Sequence, residues 1–224
     1  MIKSLLYRRA GLGGAGLAVL LLVQLLLAST AFAENNQMQS TPASYRIKGV
    51  PLYAQQHNLS CEYASARMVT AYWGRAVSES QFIRNIPVNP NPHLGFRGNI
   101  DGVGGGLTNY GIYAEPIANY LEEQGFNTRV FYGDANALRQ EIAQGHPVMV
   151  WLTIALQYAT PRQVVINGTA VKLVPGEHSV VVTGYDEGGV YLNGPAQGIR
   201  VWYRWADFLR SWSYFDQMAL SIWT

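Results

Sequence analysis

Cysteine is almost absent from this 224-residue chain; Cys61 is the only one. A single thiol cannot close an intrachain disulfide, so no covalent staple holds the fold. Charge is scarce too. Asp, Glu, Lys and Arg make up 13% of the residues, and neither sign dominates. Lys3, Arg8 and Arg9 are the only charged residues before Glu34, so residues 34–224 are close to neutral, at about −1. With no basic stripe a nucleic-acid partner is not expected, and with no acidic tail neither is a cation sink. Internal repeats are lacking. The Gly104-Gly105-Gly106 run has no Lys-Ser/Thr after it and no strand before it, so it does not read as a phosphate loop. The composition, 49% hydrophobic and 12% aromatic, excludes a disordered chain.

The long apolar run lies near the start. Leu17 to Ala28 is apolar apart from Gln24, follows the basic Lys3/Arg8/Arg9 segment and leads to Ala31-Phe32-Ala33. That is the pattern of a secretory signal peptide over 1–33. The run is shorter than the ~20 residues a spanning helix needs, which argues against an uncleaved anchor. Arg8-Arg9 is also compatible with twin-arginine export. The mature protein is therefore expected to be secreted or extracytoplasmic, with no membrane attachment after cleavage. Residues 34–44 read as a polar linker and 45–224 as one domain, large enough to bury roughly 70% of its unfolded surface.

Within that domain the pattern is α+β. Helices are expected from Cys61 to about Trp73, from Ser78 through Ile83, over Tyr113–Gln124 and after an Asp134 cap. Pro147 to Thr153 is a nearly continuous apolar run, expected as a central strand buried on both faces. Gln163 to Val174, with Asn167-Gly168 at its centre, reads as an inserted hairpin. Strands should follow from His178 to Tyr185, Gly189 to Asn193, Ile199 to Tyr203 and Met218 to Trp223, with a short helix over Arg204–Arg210. Tyr45–Tyr53 could be an entering strand. The Pro- and Gly-rich stretch 87–111 is expected to be a long structureless connection, and such loops are often functional.

The chemistry centres on Gln55-Gln56-His57-Asn58-Leu59-Ser60-Cys61-Glu62-Tyr63-Ala64-Ser65. Ser60 is a good N-cap, which puts Cys61 in the first helical turn. Unpartnered amides and the helix dipole there favour an anion, so the thiol should ionise more easily. A lone thiol outside the cell is inert, an intermolecular link or reactive, and this setting points to reactive. Gln55 could offer a side-chain N–H to a developing oxyanion. A cysteine nucleophile needs a base, and imidazole suits neutral pH. Of His57, His93, His146 and His178, only His178 opens a strand of buried type, where a base would be held rigidly. Asn193, on the adjacent strand, could reach its far nitrogen as the orienting partner. A metal role for His57 and Cys61 is not expected, because a structural zinc site wants more soft ligands. No cofactor is implied.

These residues resemble the papain-like cysteine peptidases of the bacteriocin-processing, or double-glycine peptidase, family, in its stand-alone exported peptidase C39-like branch. The resemblance rests on Val50-Pro51-Leu52-Tyr53-Ala54-Gln55, Ser60 to Ser65 with Met68 and Tyr72-Trp73-Gly74, and the Asn91 to Gly98 loop. Tyr110 to Ala114, Gly145-His146-Pro147-Val148, His178 to Tyr185 and the Trp205/Phe208/Trp212 region complete it, over about 48–224. It implies a papain-like fold, N-terminal helices with the nucleophile helix packed on a C-terminal antiparallel sheet. It also implies Cys61 as nucleophile, His178 as general base and Gln55 as oxyanion donor, with Gln56 the alternative donor. The family's third member is usually an aspartate before a proline; here Gly194 precedes Pro195. Either Asn193 substitutes, as asparagine does in papain relatives, or the triad is incomplete and activity is reduced or absent.

The expected function is a secreted thiol hydrolase that cleaves a peptide or amide bond, with a secreted protein or cell-wall peptide as substrate. The alternatives are a catalytically weak or inactive binding module, or an acyl transferase, on the same scaffold.

Overall fold

In a computed structural model, residues 41–224 are described; the expected signal peptide at 1–33 and most of the 34–44 linker lie outside them. Among the described residues no helix is long and apolar enough to cross a membrane. The chain runs β1 (Tyr45–Arg46), α1 (Cys61–Tyr72), α2 (Glu79–Asn85), α3 (Ala114–Glu123), β2 (Asn127–Tyr132), α4 (Ala135–Ala143) and β3 (Val148–Thr153). A hairpin follows, β4 (Arg162–Ile166) and β5 (Thr169–Leu173). Then come β6 (Glu177–Tyr185), β7 (Gly189–Gly194), β8 (Ile199–Arg204), α5 (Trp205–Ser213) and β9 (Met218–Trp223). The fold is α+β.

The main sheet has the order β2-β9-β3-β6-β7-β8, with the short β1 added to β6. The pairings of its strands are antiparallel. Every residue of β3 is buried, as its unbroken apolar run predicts, because both faces of the sheet are covered. Met149, Trp151, Val181, Leu220 and Ile222 meet Tyr63, Met68, Phe82, Ile117 and Leu121 of α1–α3 on one face. Val150, Leu152, Val180, Val182 and Leu192 meet Leu138, Ile142, Phe208 and Trp212 of α4 and α5 on the other. Successive side chains in a strand point to opposite faces, so one strand serves both cores.

Several helix ends match the expected capping chemistry. Ser78 and Gln81 form a reciprocal capping box at α2, and the Asp134 side chain accepts from the amides of Asn136 and Ala137 at α4. Ser60 differs. It precedes α1 but makes no side-chain cap; its Oγ accepts from the His57 amide at 3.1 Å instead. The entering strand is shorter than expected, since only Tyr45–Arg46 pairs with β6.

The 87–111 connection is not structureless. Val88 bridges Phe96 and Arg97 bridges Gly111, while the Arg97 guanidinium donates to the Leu107 carbonyl at 2.7 Å. Phe96 and Tyr110 are buried. Proline and glycine hide this order from periodicity, because the segment is held by single bridges and side-chain-to-carbonyl bonds. The hairpin forms a separate two-stranded sheet, yet Val171 and Leu173 join the core below it.

Candidate active site

The site lies where β6 loses a neighbour. β7 pairs with β6 only from Asn193 opposite Val181 onward, so Glu177–Val180 have β3 on one side and no β7 on the other. The N-terminus of α1 fills that edge. The Ser179 amide donates to Cys61 Sγ at 3.5 Å, and Ser65 Oγ donates to the Ser179 carbonyl at 3.3 Å. The sulfur therefore takes the place a carbonyl of a pairing strand would occupy.

Strand alternation then sorts the neighbours. Glu177 and Ser179 share the face that α1 covers, whereas His178 shares the face of Val180 and Val182. Cys61 and His178 nonetheless border one cavity of about 310 Å³, which opens at the free edge of β6. Gln55, Leu152, Ile154, Gly194 and Ile199 also line it. No hydrogen bond joins the thiol to the His178 ring, and among the described residues neither ring nitrogen has a hydrogen-bond partner. The other three histidines each face a carboxylate: His57 with Asp101, His93 with Glu115 and His146 with Glu141. Burial lowers His178 to about 4, so its resting form is neutral imidazole.

The electrostatics correct one expectation. Cys61 does sit in the first turn of α1, but its thiol is pushed well above the ordinary cysteine value. Burial is the main cause, and the carboxylates of Glu62 and Glu177 add to it; the Ser179 amide only partly offsets them. Burial, with two adjacent acids, outweighs the end of a helix dipole, which falls off within a turn.

Glu62 and Glu177 are the residues that sequence reasoning missed. Glu62 is fully buried; its Oε1 accepts from the Ile112 amide at 2.7 Å and its Oε2 from the Cys61 thiol at 3.2 Å. Burial raises it to about 7. Glu177 is buried with neither carboxylate oxygen hydrogen-bonded, and burial and the Glu62 charge push it well above the usual carboxylate range. The Cys61 sulfur and a carboxylate oxygen of each of Glu62 and Glu177 all lie within 4.8 Å of one another, close enough for like charges to repel. Gly111 makes the packing possible. Its φ is +141°, and a Cβ there would lie 2.1 Å from Glu62 Oε1 and 2.7 Å from Glu177 Oε2. The signal in the sequence was positional: each acid directly flanks a reactive residue, Glu62 after Cys61 and Glu177 before His178.

Asn193 is placed elsewhere. Opposite Val181, three residues beyond His178, it is buried and its amide donates to the carbonyls of Val50 and Pro51 at 3.3 and 3.2 Å. It borders a different cavity, so the structure does not bring it to the His178 ring. Gln55 reaches the cavity, but its Nε2 donates to the His57 and Asn58 carbonyls at 2.8 and 2.9 Å. Gln56 is exposed, its amide on Glu79. His57 lies in the exposed loop with Asp101.

A cysteine-bearing helix set against the open edge of an antiparallel sheet, with an imidazole on that edge, is the layout expected of a papain-like fold. The model of the peptidase C39-like family matches residues 47–220, and the chain belongs to that family. A C39-like peptidase crystal structure from Bacillus anthracis has the same fold, with a TM-score of 0.70, 22% identity and coverage of 82% of this chain and 98% of that one. The uncharacterized protein YvpB of Bacillus subtilis is 32% identical over 144 residues, 60% of this chain and 57% of YvpB; this chain thus spans little more than half of that relative. Likeness to xylellain, a cysteine protease from Xylella fastidiosa, is slight, with a TM-score of 0.37 and 12% identity, and carries no weight here.

Proposed function

We propose that this protein is an exported thiol hydrolase that cleaves a peptide or amide bond, with Cys61 as nucleophile and His178 as its acid–base partner. The supporting observation is that the buried thiol and the neutral imidazole border one cavity at the open edge of β6. The thiolate attacks the carbonyl carbon. The Cys61 amide, in a first turn with no intrahelical acceptor, is positioned to donate to the oxyanion. Gln55 is the second donor on this reading, once its Nε2 releases the loop carbonyls it now holds. Water then cleaves the acyl-enzyme, and a neutral His178 is the form able to take the water's proton. The substrate class is a secreted protein or cell-wall peptide, a consequence of the expected export signal.

A second reading, a binding module with weak or no turnover, has one observation in its favour. Gly194 supplies no side chain, and among the described residues the His178 ring has no orienting partner. Alkylation of the mature protein by iodoacetamide at graded pH decides between them. An activated pair gives a profile that His178→Ala changes. An ordinary thiol profile, unaltered by that substitution, contradicts the hydrolase reading. Added amine acceptors then separate transfer from hydrolysis.

A further inference from the structure

The cavity at the edge of β6 changes character from one face of that strand to the other. Cys61 and Glu177 border it on the α1 side, whereas on the His178 side its walls are Leu152, Leu156, Val180, Ile199, Val201 and Tyr203. Register explains the apolar walls. Leu152 of β3 lies directly opposite His178 of β6, so their side chains share a face, and Val180 follows two residues on along that face. Ile199, Val201 and Tyr203 alternate along β8, the edge strand of the sheet. Leu156 arrives through a strained turn. Ala155 and Leu156 have φ of 50° and 56°, left-handed values that residues with a side chain seldom adopt. Three bonds fasten that turn. The Ile154 amide donates to the Gly176 carbonyl at 2.8 Å, Thr153 Oγ1 to the Gln157 carbonyl at 2.6 Å and the Arg210 guanidinium to the Leu156 carbonyl at 2.9 Å. Strain held in place this firmly is characteristic of binding sites, and here it sets Leu156 against the cavity. Two more apolar side chains stand at the opening, Ile154 and Ile199, 45% and 44% exposed.

We propose that this apolar half of the cavity is the specificity pocket of the site, taking one bulky apolar side chain, of the size of Leu, Met or Phe, from a peptide whose reacting carbonyl lies at Cys61. This rests on the thiol-hydrolase reading above and leaves Cys61 and His178 in the roles given there. No lysine or arginine lines the cavity, and its one carboxylate, on Glu177, is on the α1 side. A charged side chain entering the apolar half would lose its water and find no partner. At about 310 Å³ the cavity is at the small end of ligand pockets, which suits one large side chain and the peptide beside it. A glycine at that position leaves the apolar walls in contact with water. The substrate class therefore narrows to peptides with a bulky apolar residue within a residue or two of the bond cleaved. Sequences with two small residues there, a pair of glycines included, are poor substrates.

The test is the digestion of a peptide mixture of random sequence by the mature wild type, Ile199→Glu and Val201→Phe, with Cys61→Ala as the blank and the cleavage sites read by mass spectrometry. The wild type should show Leu, Met or Phe enriched at one fixed position near the bond, roughly 10–100-fold over Gly, Asp or Lys, the effect of burying one such side chain. Ile199 is half exposed on an edge strand, so a glutamate there is compatible with the fold and sets a carboxylate at the opening. Enrichment at the same position should pass to Lys and Arg. Val201→Phe fills the pocket from within and should move the enrichment to Ala and Gly, which keeps the test decisive if either variant fails to fold. A change of preference, unlike a loss of rate, does not follow from destabilisation alone. Cys61-dependent cleavage with no apolar preference in the wild type, or a preference that folded variants do not move, overturns the pocket and leaves the hydrolase reading standing. Absence of Cys61-dependent cleavage of any peptide overturns both.

Discussion

The amide of Ser179 points at the sulfur of Cys61 across 3.5 Å. That contact exists because β7 stops at Gly194, leaving Glu177–Val180 of β6 without a second neighbour, and α1 enters the opening. The place of the thiol is thus a property of sheet topology as much as of its own helix.

The thiol should be dispensable for folding. Cys61→Ala removes one buried atom and two weak hydrogen bonds, so thermal or urea unfolding should shift by only about 1 kcal/mol. Alkylation and hydrolysis should both disappear. An Ala variant that still hydrolyses peptide contradicts the assignment of the nucleophile.

Asn193 and Gly194 should behave in opposite ways. Asn193→Ala leaves the Val50 and Pro51 carbonyls without their buried donor, a cost of about 1–3 kcal/mol in urea unfolding. With no contact to the His178 ring, it should change kcat little. Gly194 borders the same cavity as His178, and a Cβ there would meet only the Ile199 carbonyl, at an ordinary 3.7 Å. Gly194→Asp should therefore be accommodated, raise the His178 titration followed by NMR, and increase kcat/KM by about tenfold or more. An unmoved imidazole would show that the new carboxylate does not reach it.

Stability should depend on pH through two desolvated groups of opposite sign, the buried Glu62 and the half-buried His178. Glu62 is raised from 4.5 to about 7, so the folded state holds its proton more tightly than the unfolded chain does. It costs nothing below the unfolded value, and stability falls as pH rises from 4.5 through 7, by up to about 3 kcal/mol. His178, lowered from 6.5 to about 4, favours the neutral fold, so stability also falls as pH drops from 6.5 towards 4. Urea titrations should find the maximum in the mildly acidic range, and Glu62→Gln should flatten the alkaline side.

Trp151 connects the core to the cluster. Trp151→Phe keeps a buried aromatic ring but removes the donor to the Ile112 carbonyl. The unsatisfied carbonyl should cost about 1–3 kcal/mol, and the freed peptide, whose amide holds Glu62 beside the thiol, should shift the pH profile of Cys61 alkylation. Destabilisation with an unchanged profile would mean that the Ile112 peptide is held without this bond.

Much of this was legible in the residues. The apolar run of Val148–Leu152 marked the central strand, Asn167-Gly168 the hairpin, and Ser60-Cys61 the start of the cysteine-bearing helix. What escaped was non-local. Periodicity does not report that β7 ends before reaching Ser179, and only that fact sets Cys61 at an open edge. Nor does it report that Ile112 and Gly111, about fifty residues away, bury the carboxylate next to the thiol, which reverses the expected effect of the helix terminus. Asn193 had the right residue type, but the register opposite Val181 commits it to the carbonyls of Val50 and Pro51.

The most direct measurement counts label against activity. Mature protein is titrated with substoichiometric iodoacetamide, the modified residue is located by mass spectrometry, and residual hydrolysis of a mixed peptide substrate is followed. Activity should fall in proportion to the fraction of Cys61 carrying the label and reach zero at one equivalent. Full labelling of Cys61 with hydrolysis retained would contradict the account.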